Sequence, residues 1–298
     1  MKKFLAILMA ALMLFSITAC TSSNEPAAEP APEPAPEAEG GEEPAEEQLT
    51  LEAGKLLVAI SPDFAPMEFV DTSKTGQDQY VGFDVTLSKF IAEQMGLELE
   101  IKPMSFDACQ AAVQTNTVDM SISGFSYTPE RAENFNLSDY YYAGDNETEQ
   151  VIITTAAKGG TFSSAEDFAG LTVGAQTASL QMNLVTSQLP SDCNIKEFSD
   201  LGTAVEALRS GIVDGVAVAY GNGEAIIASN DAIAMSGFEF EVSEEAENNV
   251  IMLNKDNDAL LEKVNEILAI AYDNGYYGGW YEEAQALAGI DTAEEVSY

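Results

Sequence analysis

Val118-Asp119-Met120-Ser121-Ile122-Ser123-Gly124-Phe125-Ser126-Tyr127-Thr128-Pro129-Glu130-Arg131 is the stretch on which the reading of this chain turns. Residues 118–123 have the composition of a buried strand, and the segment then opens into a loop. The loop offers backbone N–H groups at Gly124 and Ser126, the Ser126 hydroxyl and the Arg131 guanidinium. Such donors suit a carboxylate, which a guanidinium pairs bidentately while amides and hydroxyls supply the remaining hydrogen bonds. The plainer alternative is a surface arginine closing the turn after Thr128-Pro129.

Outward from this strand, helical and strand periods alternate. Residues 55–61 form a short apolar run suited to a buried strand. Asp84 is the expected cap of a helix bearing Leu87, Phe90 and Ile91 at helical spacing and stopped by Gly96. Leu97, Leu99 and Ile101 alternate as in a strand, and Ser105 is placed to cap a helix running to about Thr115. With 118–123 this makes β-α-β-α-β, the pattern of a mostly parallel sheet flanked by helices.

A second unit of the same kind follows: strand 171–175, helix 178–188, strand 194–198, a helix capped by Asp200 and running to Arg209, and strand 213–218. Leu260, Leu261, Val264, Leu268 and Ala271 mark one face of a long helix, and residues 280–287 a further one. These last helices have no strands of their own, so they must pack on an existing lobe. The expected fold is α/β with two lobes joined by extended crossings near 143–153 and 248–253. Ligands of open α/β sheets lie beyond the carboxyl ends of the strands, here in the cleft between lobes.

The N-terminus reads differently. Lys2 and Lys3 precede an apolar run over residues 4–17, then Thr18-Ala19-Cys20. That is a secretory signal peptide, too short to span a bilayer comfortably, and no later stretch is long enough. Residues 21–48 are almost wholly Glu, Pro, Ala, Ser and Gly, which cannot bury a core and read as an extended tether. The folded part is then 49–298, divided as lobe I over 49–147, lobe II over 148–248 and a return to lobe I over 249–298.

The chain has 50 acidic against 12 basic residues and no histidine. Nucleic acid is excluded as a partner, since phosphate neutralisation needs the opposite charge. Serine-histidine and cysteine-histidine catalysis is excluded as well. Beyond Cys20 only Cys109 and Cys193 remain, with no disulfide framework or zinc spacing, and each reads as a small buried apolar residue. No metal or cofactor is expected.

The opening segment, continued by Phe135-Asn136-Leu137-Ser138-Asp139-Tyr140-Tyr141, resembles the signature of the family-3 extracellular solute-binding proteins, the polar amino acid receptors of ABC importers. Similar matches run through Ser61-Pro62-Asp63-Phe64-Ala65-Pro66-Met67-Glu68-Phe69, Val81-Gly82-Phe83-Asp84-Val85, Met104-Ser105-Phe106-Asp107, Leu171-Thr172-Val173-Gly174-Ala175-Gln176, Ala207-Leu208-Arg209-Ser210-Gly211 and Leu261-Glu262-Lys263-Val264-Asn265. The resemblance implies the type II periplasmic-binding-protein fold. It implies that Arg131 binds the ligand carboxylate with the Gly124 amide and the Ser126 hydroxyl, with Ser123 and Ser61 beside them. It also implies that Phe64 and Phe106 enclose the ligand, and that Gln176, Ser179, Leu180 and Tyr220 meet it from the other lobe. Residues 17–20 resemble a lipobox, implying a lipid-anchored protein with Cys20 as its first residue.

Two departures bear on the ligand. Ala219 stands where most amino acid receptors of this family place an aspartate for the α-ammonium, so Asp63 or Glu224 substitutes or the ligand lacks that group. Ser61 occupies a position often acidic in receptors for basic or amide amino acids, which weighs against lysine, arginine or histidine. The expected protein is a non-enzymatic, monomeric receptor that captures a small carboxylate-bearing solute by hinge closure and docks on an ABC permease. A cyclohexadienyl dehydratase-like enzyme and a ligand-sensing lipoprotein are the alternatives on the same scaffold.

Overall fold

The computed structural model describes residues 49–141, 148–246 and 248–290. The signal peptide read at 1–19, Cys20 and the tether to residue 48 lie outside the described residues, as does the 143–147 part of the first crossing. Among the described residues no helix is long and apolar enough to cross a membrane.

β1 (Lys55–Ile60) is buried from Leu56 onward, as a strand covered on both faces must be. A small antiparallel sheet follows, made of β2 (Asp63–Phe64), β3 (Glu68–Val70) and β4 (Tyr80–Val81). Gly82 turns the chain into α1 (Phe83–Met95) with φ 118°, and a Cβ there would collide with the Met67 carbonyl. This close approach lets Phe83 N–H donate to the Pro66 carbonyl at 3.1 Å and Asp84 N–H to that of Met67 at 2.8 Å. Backbone therefore satisfies the first helical donors. Asp84, expected as the cap, lies inside the first turn instead, and its carboxyl is free to point into the lobe.

The first half continues through β5 (Glu98–Pro103), α2 (Phe106–Gln114), β6 (Met120–Ser121), α3 (Pro129–Asn134) and β7 (Asn136–Leu137). β6 is shorter than the expected 118–123, although Asp119 N–H to Leu57 O (3.0 Å) and Ile122 N–H to Ala59 O (3.3 Å) extend its pairing with β1. Ser105 stands at the N-cap of α2, but its hydroxyl donates to Asp107 Oδ1 at 2.6 Å and caps no amide.

The second half comprises β8 (Gln150–Thr155), β9 (Thr172–Gln176), α4 (Leu180–Gln188), β10 (Asn194–Phe198), α5 (Leu201–Arg209), β11 (Gly215–Ala219), α6 (Tyr220–Ser229) and β12 (Ile233–Glu239). Asp200 caps α5 as expected, its Oδ1 accepting from Thr203 N–H at 2.7 Å. The chain returns through β13 (Met252–Leu253) to α7 (Asp258–Asp273) and α8 (Tyr276–Ala288).

Two five-stranded sheets result, ordered β5-β1-β6-β13-β7 and β10-β9-β11-β8-β12. In each, the first three strands are parallel, as β-α-β units require. The fourth is the strand arriving from the other lobe, and it runs antiparallel: β13 against β6, β8 against β11. The crossings lie together, with Tyr141 N–H donating to Asn249 O at 3.2 Å and Ile251 N–H to Ser138 Oγ at 2.9 Å.

α1, α7 and α8 cover one face of the first sheet through Leu87, Ile91, Leu260, Val264, Ile267, Leu268 and Tyr281. Leu261, expected on the buried face of α7, is only half-buried, and Ile267 takes that place. Phe106, Cys109, Val113 and Phe125 fill the other face. The second sheet is covered the same way on its two faces, by Leu184, Val185 and Phe168 and by Leu201, Ala204 and Leu208. Each fully buried Leu or Phe contributes about 1.5–3 kcal/mol, so both lobes carry substantial cores.

Candidate functional site

Arg131 lies in the short helix α3, started by Pro129 and capped by Thr128 Oγ1, which accepts from Arg131 N–H at 3.1 Å. That turn aims the side chain back toward the loop beyond β6. The guanidinium is buried, and its Nη1 donates to Ser126 O at 2.6 Å. Its Cζ sits 5.6 Å from the Phe106 ring centre and 5.3 Å from that of Phe125. Among the described residues no carboxylate pairs with it. Burial lowers its pKa to about 10. A buried cation held only by carbonyls and aromatic faces is costly until an anion joins it.

Arg131 Nη2 also reaches the second lobe, donating to Ala178 O at 3.1 Å, and Gln110 Nε2 donates to the same oxygen at 3.2 Å. Ala178 holds φ 61°, a left-handed backbone that costs a non-glycine residue about 1–3 kcal/mol. The turn sets up Ser179, whose hydroxyl caps α4 by accepting from Met182 N–H at 3.0 Å. The N-terminus of α4 is thereby presented to the cleft opposite Arg131.

Between the lobes a cavity of about 20 Å³ is lined by Phe64, Phe106, Ser123, Gly124, Ser126, Arg131, Gln176, Ser179, Leu180 and Gln181. The structure thus brings the expected residues of both lobes to one place, with two exceptions. Ser61 faces inward, its hydroxyl donating to Asp63 Oδ1 at 2.9 Å and its N–H to Ser123 Oγ at 3.0 Å. Tyr220 opens α6 and packs on the second lobe's core. A further correction concerns Gly124: its N–H donates to Asp84 Oδ2 at 2.7 Å and points away from the cavity. Gly124 is instead required for space, since φ is 54° and a Cβ would stand 2.9 Å from the Phe64 ring.

The lobes also touch beside the cavity. Asp63 Oδ2 accepts from Leu201 N–H at 2.7 Å, at the N-terminus of α5, and from Gln176 Nε2 at 3.3 Å. Burial raises the Asp63 pKa, against the hydrogen bonds from Leu201, Ser61 and Gln176 that lower it. Asn222 Nδ2 donates to Ala65 O at 3.2 Å, while its buried Oδ1 has no partner among the described residues. Gln181 and Asn222 escaped the sequence reading. Both follow helix starts, where polar residues are common, so only the place of Gln181 in the cavity lining and the contact of Asn222 with Ala65 distinguish them. Ala219 is the buried N-cap of α6.

Cys109 and Cys193 are free, buried thiols, and burial raises the pKa of both. Among the described residues no cluster of Cys, Asp or Glu could hold a metal ion.

A profile of the bacterial extracellular solute-binding proteins, family 3, matches residues 56–284. The chain belongs to that family. As a family-3 solute-binding protein it is 30% identical over 277 residues to the arginine-binding extracellular protein ArtP of Bacillus subtilis, covering 92% of this chain and 94% of that one. It is 25% identical over 228 residues to the L-cystine-binding protein TcyJ of Escherichia coli, covering 75% and 80%. Among solved structures it is similar to the amino acid ABC transporter substrate-binding protein AbpA of Streptococcus pneumoniae bound to L-arginine. That match has TM-score 0.73 and 32% identity, and covers 80% of this chain and 97% of that one. The type II two-lobed fold of these solute-binding proteins is therefore the fold of this chain.

Proposed function

We propose that this protein is the receptor of an ABC importer for an amino acid, with L-arginine as the leading ligand. The observation that carries the reading is the Arg131 guanidinium, buried at the cleft and paired with no carboxylate among the described residues. Arg131 takes the ligand carboxylate, aided by the Ser126 hydroxyl, while Phe64 and Phe106 enclose the chain of the ligand. Gln176, Gln181 and the N-terminus of α4 meet it from the second lobe.

Sequence alone set Ser61 against a basic ligand. That argument loses force because Asp63, two residues on, supplies an acid at the lobe junction, and because relatives such as ArtP are named for arginine. Asp63 is accordingly the group that we assign to a cationic part of the ligand once the lobes part.

The cavity of about 20 Å³ holds roughly one water, far below what an amino acid needs. Entry requires the lobes to separate about the crossings, 49–147 and 249–298 moving as one body against 148–248. A ligand shifts that balance by its greater affinity for the closed form. The receptor works as a monomer, held to the membrane through lipid on Cys20 and the 21–48 tether, and the closed form docks on the permease. Mass spectrometry of the N-terminal peptide from membranes tests the anchor, an unmodified Cys20 contradicting it. Binding is stoichiometric, without turnover.

A thermal-shift screen over amino acids tests the reading. Arginine at about 100 times its Kd should add about 2.7 kcal/mol, a rise of several degrees in Tm. No shift with any amino acid, or turnover of prephenate or arogenate, would contradict it.

A further inference from the structure

Beneath the loop that carries Ser123 and Gly124, on the side away from the cavity, two carboxyl groups sit with no cation beside them among the described residues. Glu68 comes from β3 and Asp84 from the first turn of α1, and both are fully buried. Each uses one oxygen to hold the loop. The Ser123 hydroxyl donates to Glu68 Oε1, and Gly124 N–H donates to Asp84 Oδ2 at 2.7 Å, joined there by the Tyr141 hydroxyl at 3.1 Å. Among the described residues the other oxygens, Glu68 Oε2 and Asp84 Oδ1, have no donor from any third residue. The two side chains are nevertheless within hydrogen-bonding reach of each other.

Two carboxylates cannot both stay ionised in so dry a space, since desolvation and like charge act together. One proton between them resolves both orphaned oxygens: Glu68 Oε2 carries it and donates, and Asp84 Oδ1 accepts. We propose that Glu68 and Asp84 form a one-proton acid pair that positions the Ser123 hydroxyl and the Gly124 loop at the floor of the ligand site. That the loop floors a ligand site rests on the receptor reading; the pair itself rests on these contacts. Neither acid lines the cavity, so both are positioning residues.

The surroundings favour this assignment. Burial, followed by the charge of Asp84, pushes Glu68 well above the usual carboxylate range, and burial lifts Asp84 to about 6. Among the described residues the titratable groups facing the pair are Asp63 after β1, Cys109 on α2 and Tyr141 beyond β7, none of them a cation. Groups whose pKa is raised by folding favour the fold at low pH, and that contribution is lost as pH rises through their folded values. The one-proton state therefore begins near pH 6 and ends where Glu68 ionises. Beyond that point two adjacent charges would push Ser123 and Gly124 out of register.

Glu68→Gln tests the pair, because its amide N–H replaces the proton permanently and its carbonyl still accepts from Ser123. Infrared spectra at about pH 7 should show a protonated carboxyl in the native protein that vanishes in Glu68→Gln. Native Tm should fall as pH rises above the ordinary carboxylate range, and Glu68→Gln should flatten that fall. Glu68→Ala should weaken arginine binding about tenfold, the loss of one buried hydrogen-bonding partner, and Glu68→Gln should rescue it. If Glu68→Ala does not fold, the spectrum and the melting profile of Glu68→Gln decide alone. Absence of a protonated carboxyl, or a Glu68→Gln profile that follows the native one, would overturn the proposal. If the native protein bound no amino acid, the receptor reading would fall while these two measurements still judged the pair.

Discussion

Glu68, Asp84, Asp119 and Arg131 are buried in the first lobe, whereas the buried polar side chains described in the second, Gln150, Thr154, Gln176, Ser179, Asn222 and Ser236, are all neutral. Strand order does not explain the contrast, because both sheets have three parallel strands followed by an antiparallel crossing strand. Burying a charge is expensive, and the first lobe does so repeatedly around one loop. Asp119 ties that loop's strand to the chain entry, its two oxygens accepting from Leu51 N–H at 2.6 Å and Leu57 N–H at 2.7 Å. Under the proposed reading this is a division of labour: the first lobe would supply the charged groups that recognise the ligand, and the second would close over it with amides and helix ends.

Three substitutions bear on that contrast. Arg131→Ala should have the largest effect on binding, a loss of about 2–5 kcal/mol by calorimetry, as when one partner of a buried charge pair is removed. Its thermal stability without ligand should change far less, because the mutation also removes a buried charge lacking an acid. Equal losses in affinity and stability would make Arg131 a structural residue and erase the contrast.

Gly124→Ala comes next. A methyl 2.9 Å from the Phe64 ring, on a backbone with φ 54°, should lower stability by about 1–3 kcal/mol, read as a drop in Tm. An unaltered Tm would mean that the loop is not held as described.

Gln176→Ala, in the second lobe, should cost only about 0.5–1.5 kcal/mol of affinity, the net worth of a neutral hydrogen bond. A loss as large as that of Arg131→Ala would refute the division between the lobes.

Much of this frame was legible beforehand because its signals are local. The apolar run of β1, the Asp200 cap and the left-handed stop at Gly96 are fixed by neighbours a few residues away. The convergence of Phe64, Phe106, Arg131 and Gln176 was legible through resemblance and not through periodicity. What stayed hidden depends on contacts between distant segments. Asp84 has the look of a cap, and nothing nearby in sequence reveals that the Pro66 and Met67 carbonyls already meet the helix donors. Glu68 reads as one polar residue in a short strand until Ser123 is brought against it. Gly124 reads as a donor to the ligand because the orientation of its N–H is set by Asp84, forty residues earlier in the chain. Leu261 and Ile267 stand at opposite edges of the apolar face of α7, and only the placement of α7 on α1 decides which is buried.

The central claim is that the Arg131 guanidinium receives the carboxylate of the ligand. It is tested most directly by calorimetric titration of the native protein and Arg131→Ala with L-arginine and with agmatine, which is arginine without its carboxyl group. The account predicts that the native protein prefers arginine to agmatine by about 2 kcal/mol or more, the worth of a charge-assisted pair, and that Arg131→Ala removes most of this preference. A preference for arginine that survives undiminished in Arg131→Ala would contradict it.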